Sequence, residues 1–232
     1  MHKYFLGLKE LDDEIGGIGG GTNIMLIGPA MSGKTAVLNS IMSDGLHKGD
    51  AVILVETRVP GADALARLKP PERSFIGVVD CVARTLGVNA KDTPLIRHVS
   101  SPVDLTGVGV RVGQLMDDSG QTGNCGAILC IDSVSTMLMY SNLQSVFRFL
   151  HVMAGRVSMR KQLGVYVMDE GMHDGPTIAT LKQLFNAVLQ VKVEDDRTYI
   201  RAIGLTPRPT KWLEYEVADD AARVRGQDQE SR

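Results

Sequence analysis

Apolar residues fall along this chain in two alternating rhythms. Residues 23–27, 51–55, 75–79, 127–131 and 165–168 are short runs dominated by Val, Ile, Leu and Met. Such runs predict strands buried on both faces. Between them, apolar residues recur at spacings of three and four. Val37, Leu38, Ile41 and Met42 predict a helix over 35–42, stopped by Gly45 and Gly49. A short helix over 62–68 ends at Pro70-Pro71. Val108, Val112, Leu115 and Met116 predict a helix within 102–118, followed by a flexible loop over 119–123. Leu143, Val146, Phe147, Leu150, Met153 and Val157 predict a long helix over 143–162, with Gly155 inside it. Another helix is expected over 177–185.

Beyond about residue 186 the rhythm changes. Residues 187–193, 198–203 and 212–217 read as strands, with Asp195-Asp196 as a hairpin turn between the first two. The order of elements predicts an α/β fold. Its sheet is doubly wound and mostly parallel, with helices on both faces and a C-terminal antiparallel extension. Residues 1–217 form one expected domain, with no repeat or linker inside it; the polar, charged tail 218–232 is expected to fray.

Composition narrows the classes. At 232 residues, 44% hydrophobic, the chain can bury a core without staples. A net charge of −2 gives no chain-wide footprint for nucleic acid or acidic lipid. The cysteines, Cys81, Cys125 and Cys130, are odd in number and lack zinc-site spacing. Cys81 and Cys130 sit in or beside apolar runs and read as buried thiols. With no membrane-length apolar run and no signal-peptide pattern, a cytoplasmic protein is expected.

The segment Gly28-Pro29-Ala30-Met31-Ser32-Gly33-Lys34-Thr35 matches G-x-x-x-x-G-K-[ST]. Glycines let successive backbone N–H groups turn toward phosphate oxygens, and the next helix presents its positive end. Lys34 is the expected charge on the β- and γ-phosphates, and the Thr35 hydroxyl the expected Mg²⁺ ligand. By composition alone the pattern arises in about one chain in a hundred of this length. The flanking strand and helix lower that further.

Three strand-end acids join it. Asp132 closes the strand over 127–131, where a P-loop protein places the carboxylate that holds a metal-bound water. Glu56 ends the strand after the P-loop helix, on the same expected carboxyl edge, and could deprotonate the water attacking the γ-phosphate. Asp169, followed by Glu170, is a candidate γ-phosphate sensor; a loop acid is the plainer alternative. His173 reads as a solvated loop residue beside Asp174, and His47, His98 and His151 show no ligand spacing.

These residues resemble the RecA superfamily, and within it the KaiC-like ATPases common in archaea. The resemblance rests on Leu6 to Asp12 before Gly16-Gly17, on Gly28 to Thr35, on Ile131-Asp132-Ser133, and on the helical stretch from Ser133 to Leu150. It spans about residues 5–216. It implies a RecA-type core in which the Asp169 strand separates the P-loop strand from the Asp132 strand. It also implies ATP and Mg²⁺ as ligands, Glu56 as the catalytic glutamate, and a homo-oligomer with nucleotide near the subunit interface. Two features depart from the family. KaiC proteins carry two adjacent glutamates where this chain has Glu56-Thr57. Their late Lys-x-Arg pair is missing around Arg201, leaving Arg208 and Lys211 as substitutes.

Three functional classes follow. The first is a slow ATPase that switches a partner or its own assembly. The second is a non-hydrolysing ATP-binding signalling or scaffold module. The third is a DNA recombination accessory, which the short loop after Asp169 and the acidic balance disfavour. A GTPase lacks support, because no Asn-Lys-x-Asp segment occurs.

Overall fold

A computed structural model of the chain describes residues 2–68, 70–72 and 74–225. Its first half runs β1 (Lys3–Tyr4), α1 (Lys9–Ile15), β2 (Ile18–Gly19), β3 (Thr22–Gly28), α2 (Lys34–His47), β4 (Ala51–Glu56), α3 (Gly61–Leu68), β5 (Ile76–Asp80), β6 (Ile96–His98) and α4 (Leu105–Gly120). There follow β7 (Ala127–Asp132), α5 (Val134–Tyr140), α6 (Leu143–Met159), β8 (Leu163–Asp169), α7 (Gly175–Lys182), β9 (Ala187–Glu194), β10 (Arg197–Ile203), β11 (Leu213–Ala218) and β12 (Ala221–Val224).

The large sheet has ten strands in the order β12-β11-β10-β9-β3-β8-β7-β4-β5-β6. From β9 to β6 all neighbours are parallel. From β9 outward through β12 they are antiparallel. The α/β architecture and its antiparallel extension are therefore as expected, and β8 does separate β3 from β7.

Alternation along each strand feeds two apolar layers. Ile24, Leu26, Val52 and Leu54 pack with Val37, Leu38 and Ile41 of α2. Met25, Ile27, Ile53 and Val55 face the other way, into a cluster with Val112 and Leu115 of α4 and Val146 and Leu150 of α6. Burial on both faces explains why the central strands are apolar throughout.

Several elements differ from expectation. The helical stretch from Ser133 to Leu150 is two helices. Ser133 Oγ accepts from the Thr136 N–H at 3.1 Å, and Asn142 Oδ1 accepts from the Ser145 N–H at 2.9 Å. Each side chain caps a fresh start, which is why the helix does not run through. The chain around Leu6 to Asp12 is a turn and helix held by one half-buried carboxylate. Asp12 accepts from the N–H groups of Leu6 at 2.7 Å and Leu8 at 3.1 Å.

The expected fraying from Ala218 does not begin there. Asp219 and Asp220, at φ 52° and 62°, make a tight turn, and β12 returns along β11 with Tyr215 opposite Val224. The Asp195-Asp196 turn uses the same left-handed geometry, at φ 49° and 57°. Residues 226–232 of the tail lie outside the described residues.

Candidate functional site

The parallel register brings the strand-end residues to one edge. Gly28 lies opposite Asp169 on the β3–β8 pair, and Glu56 lies opposite Asp132 on the β4–β7 pair. This is the carboxyl edge, where ligands of open α/β sheets bind.

The loop from Gly28 to Thr35 leaves this edge and enters α2. Pro29 and Ala30 begin it, and Met31 stands fully exposed at its crest, at φ 57°. Ser32 Oγ donates to the Pro29 carbonyl at 2.8 Å and closes the loop on itself. Gly33 occupies the N-cap at φ 79°, and no side chain there satisfies the first N–H groups of α2. That helix end is open to an anion.

Lys34 is buried at the root of the loop. Its ammonium lies 2.9 Å from Asp169 Oδ1, 3.0 Å from the Gly28 carbonyl oxygen, and also donates to the Pro29 carbonyl. Asp169 is itself fixed, because its N–H donates to Ser135 Oγ at 2.9 Å. The pairing sets the sensor candidate directly against the P-loop cation.

Thr35 and Asp132 meet through a residue the sequence reading missed. Arg58 Nη2 donates to Thr35 Oγ1 at 2.7 Å and also pairs with Asp132 Oδ2. The other Asp132 oxygen is buried with no hydrogen-bond partner. Burial pushes the Asp132 carboxyl above the usual carboxylate range, against the pull of Arg58. A polar guest beside that oxygen would meet an unmet acceptor. Among the described residues no cluster of three or more His, Cys, Asp or Glu side chains could hold a metal ion unaided. Thr35 and Asp132 fit an ion that takes its remaining ligands from phosphate and water.

Glu56 is buried beside this group. Its Oε1 accepts from the N–H groups of Arg58 at 2.9 Å and Val59 at 3.3 Å, and Arg67 approaches its Oε2 at 3.8 Å. Burial, with the neighbouring Asp132 adding to it, raises the Glu56 pKa to about 7. A carboxylate poised there suits proton transfer at neutral pH.

Thr57 stands where the resemblance expects a second glutamate, and it is structural. Its hydroxyl donates to the Asp132 carbonyl at 3.0 Å and accepts from the Ser133 N–H at 2.8 Å. It clips the ends of β4 and β7 together.

The C-terminal hairpin supplies the outer wall. Tyr215 donates its hydroxyl hydrogen to the Ser32 carbonyl. A Cβ added at Gly33 would lie 2.8 Å from Val217 Cγ2, so only glycine admits β11 this close. Ser40 of α2 accepts from the Ala222 N–H at 2.9 Å, and Asn39 Nδ2 donates to the Asp220 carbonyl at 2.8 Å. A cleft of about 360 Å³ opens between Gly33, Thr35, Asn39, Glu56, Arg58 and Asp220. That falls within the ~300–1,000 Å³ range of small-molecule sites.

The remaining candidates lie elsewhere or have other work. Asp174 caps α7, accepting from the Thr177 N–H at 2.8 Å. Arg201 stacks on Trp212, 4.3 Å from the ring centre, and donates to Gln190 Oε1 at 2.8 Å. Arg208 and Lys211 are exposed on the loop between β10 and β11. Cys81 and Cys130 are buried and Cys125 is exposed. Among the described residues no helix is long and apolar enough to cross a membrane.

Solved structures share this architecture, two of them over nearly the whole chain. The uncharacterized protein PH0321 from Pyrococcus horikoshii, solved in complex with an unknown peptide, aligns at TM-score 0.70 and 16% identity, covering 96% of this chain and 98% of that one. The KaiC-like protein PH0186 from Pyrococcus horikoshii OT3 aligns at TM-score 0.69 and 13% identity, covering 97% and 99%. At such identity the likeness is one of fold: this chain shares its α/β architecture with a protein described as KaiC-like. No curated protein matches the chain. A family profile does match, over residues 21–191, from the P-loop strand into β9. The chain that carries this phosphate loop and its ring of strand-end acids belongs to DUF7504, a family of unknown function.

Proposed function

We propose that this protein binds ATP with Mg²⁺ at the carboxyl edge of its sheet and hydrolyses it slowly, switching a partner or its own assembly. The observation that carries the reading is convergence. Lys34, Thr35, Asp132 and Glu56, drawn from α2, β7 and β4, all meet at the phosphate-loop end of the sheet. The triphosphate would lie along Gly28 to Thr35, its oxygens replacing the carbonyl and carboxylate partners that Lys34 now has. Thr35 would hold the metal directly and Asp132 through water. A metal held there would neutralise charge on the β- and γ-phosphates. Glu56 would take the proton of the attacking water as its oxygen bonds to the γ-phosphorus and the bond to the β-phosphate oxygen breaks.

Calorimetric titration with ATP in Mg²⁺, paired with steady-state phosphate release, tests the reading. Wild type should bind and turn over slowly. Lys34→Ala should lose binding, and Glu56→Gln should bind without turnover. A wild-type chain that binds no ATP removes the reading altogether. Binding without turnover in wild type would favour the ATP-binding module instead, a reading that Thr57 in place of a second carboxylate supports. Light scattering with and without ATP·Mg²⁺ tests assembly, and a salt-sensitive shift with single-stranded DNA would bring back the nucleic-acid role.

A further inference from the structure

Arg58 occupies an unusual place. One nitrogen of its guanidinium reaches both the Thr35 hydroxyl, at 2.7 Å, and the Asp132 carboxylate. On the proposed ATP reading, those are the two protein groups that hold the divalent cation. The Asp132 side chain is 1% exposed, and an ionised carboxylate so deep needs a cation beside it. Arg67, the other arginine nearby, faces Glu56 at 3.8 Å. The guanidinium end is not locked in. The Arg58 side chain is 37% exposed, while the backbone below it is pinned through the Arg58 N–H to Glu56 Oε1 at 2.9 Å. The side chain can therefore swing into the cleft without unravelling the loop.

We infer that Arg58 is a tethered stand-in for the divalent cation, bridging Thr35 and Asp132 when no metal is present and giving way when one arrives. The inference rests on the nucleotide reading of the same site. A guanidinium has several donors in one plane, so it can keep Asp132 and also offer a donor to a phosphate oxygen. Without metal, the chain then retains a cation at the triphosphate. With metal, the guanidinium must first leave. Both effects act in one direction and flatten the metal dependence of ATP binding.

The test is titration of the whole chain with ATP by calorimetry, once in Mg²⁺ and once in EDTA. For wild type, the two affinities should differ by only about threefold. For Arg58→Ala, the ratio should grow by at least about tenfold, the worth of one charge-assisted hydrogen bond. Arg58→Lys, which keeps the charge but loses the planar fork, should fall between them. It also serves if the alanine variant does not fold. If wild type binds ATP and the substituted chains show the same ratio, Arg58 is no stand-in, while the nucleotide reading survives. If wild type binds ATP in neither buffer, the nucleotide reading fails and takes this one with it.

Discussion

The Lys34 ammonium lies 2.9 Å from the Asp169 carboxylate, so the cation of the phosphate loop is already engaged by the chain itself. On the proposed reading, an arriving triphosphate would compete with that carboxylate for the lysine and be repelled by it. Asp169→Asn should therefore tighten ATP binding by about three- to tenfold, the effect of weakening one charged competitor. The same change leaves Lys34 buried without its counter-ion. The ligand-free variant should melt below wild type, and saturating ATP should recover most of the difference. Calorimetry and thermal melts read both effects. Weaker ATP binding would mean that Asp169 helps the nucleotide.

Glu56 gives a pH signature. Its pKa is raised from 4.5 to about 7, so the folded chain holds this proton more tightly than the unfolded chain does. Its stabilising share is complete below the unfolded value of about 4.5 and is lost as pH rises through about 7. Glu56→Gln has no such loss. Urea unfolding should find the variant more stable than wild type at pH 8, on the order of 1–3 kcal/mol, with the gap closing toward pH 5. A gap independent of pH would refute the assignment. On the proposed reading, any ATP turnover should rise through pH 7 as Glu56 ionises.

Gly33 tests the hairpin wall. Alanine there must adopt φ 79° and place its Cβ 2.8 Å from Val217 Cγ2. Gly33→Ala should cost about 1–3 kcal/mol and weaken ATP binding at least tenfold. Adding Val217→Ala relieves the contact but leaves the backbone strain. The double variant should regain part of the stability and stay below wild type. Full recovery would mean that the backbone angle is unimportant.

Thr57→Val keeps shape and removes the hydroxyl that joins the ends of β4 and β7. The hydroxyl's buried hydrogen bonds go, chiefly those to the Asp132 carbonyl and from the Ser133 N–H. A loss of about 1–3 kcal/mol is expected by chemical denaturation. Because the Asp132 backbone is also loosened, Mg²⁺-dependent ATP affinity should fall with it. A variant as stable as wild type would show that the clip is dispensable.

The central strands and main helices were legible because burial on two faces writes itself as unbroken apolar runs and spacings of three and four. The turn from Gly28 into α2 was legible because its spacing of glycines, with Gly33 at φ 79°, announces a loop between a strand and a helix. Arg58 was not, because a loop residue two positions after a strand end belongs to no rhythm. What hinted at it was indirect: a carboxylate as buried as Asp132 must find a cation. The hairpin shows a signal read once and missed once. Asp195-Asp196 lies between two obvious strands and reads as a turn. Asp219-Asp220 makes the same left-handed turn, but β12 is a mere Ala221–Val224 with no apolar alternation to announce it. The α5–α6 break turned on one capping asparagine inside an otherwise continuous pattern.

Tyr215 reaches the phosphate loop across 183 positions of sequence. The loop and its helix are therefore synthesised well before the wall that shapes the cleft. During synthesis the phosphate loop stands bare on that side until the closing hairpin emerges and docks on α2. The nascent chain cannot present its finished cleft before β11 and β12 are made.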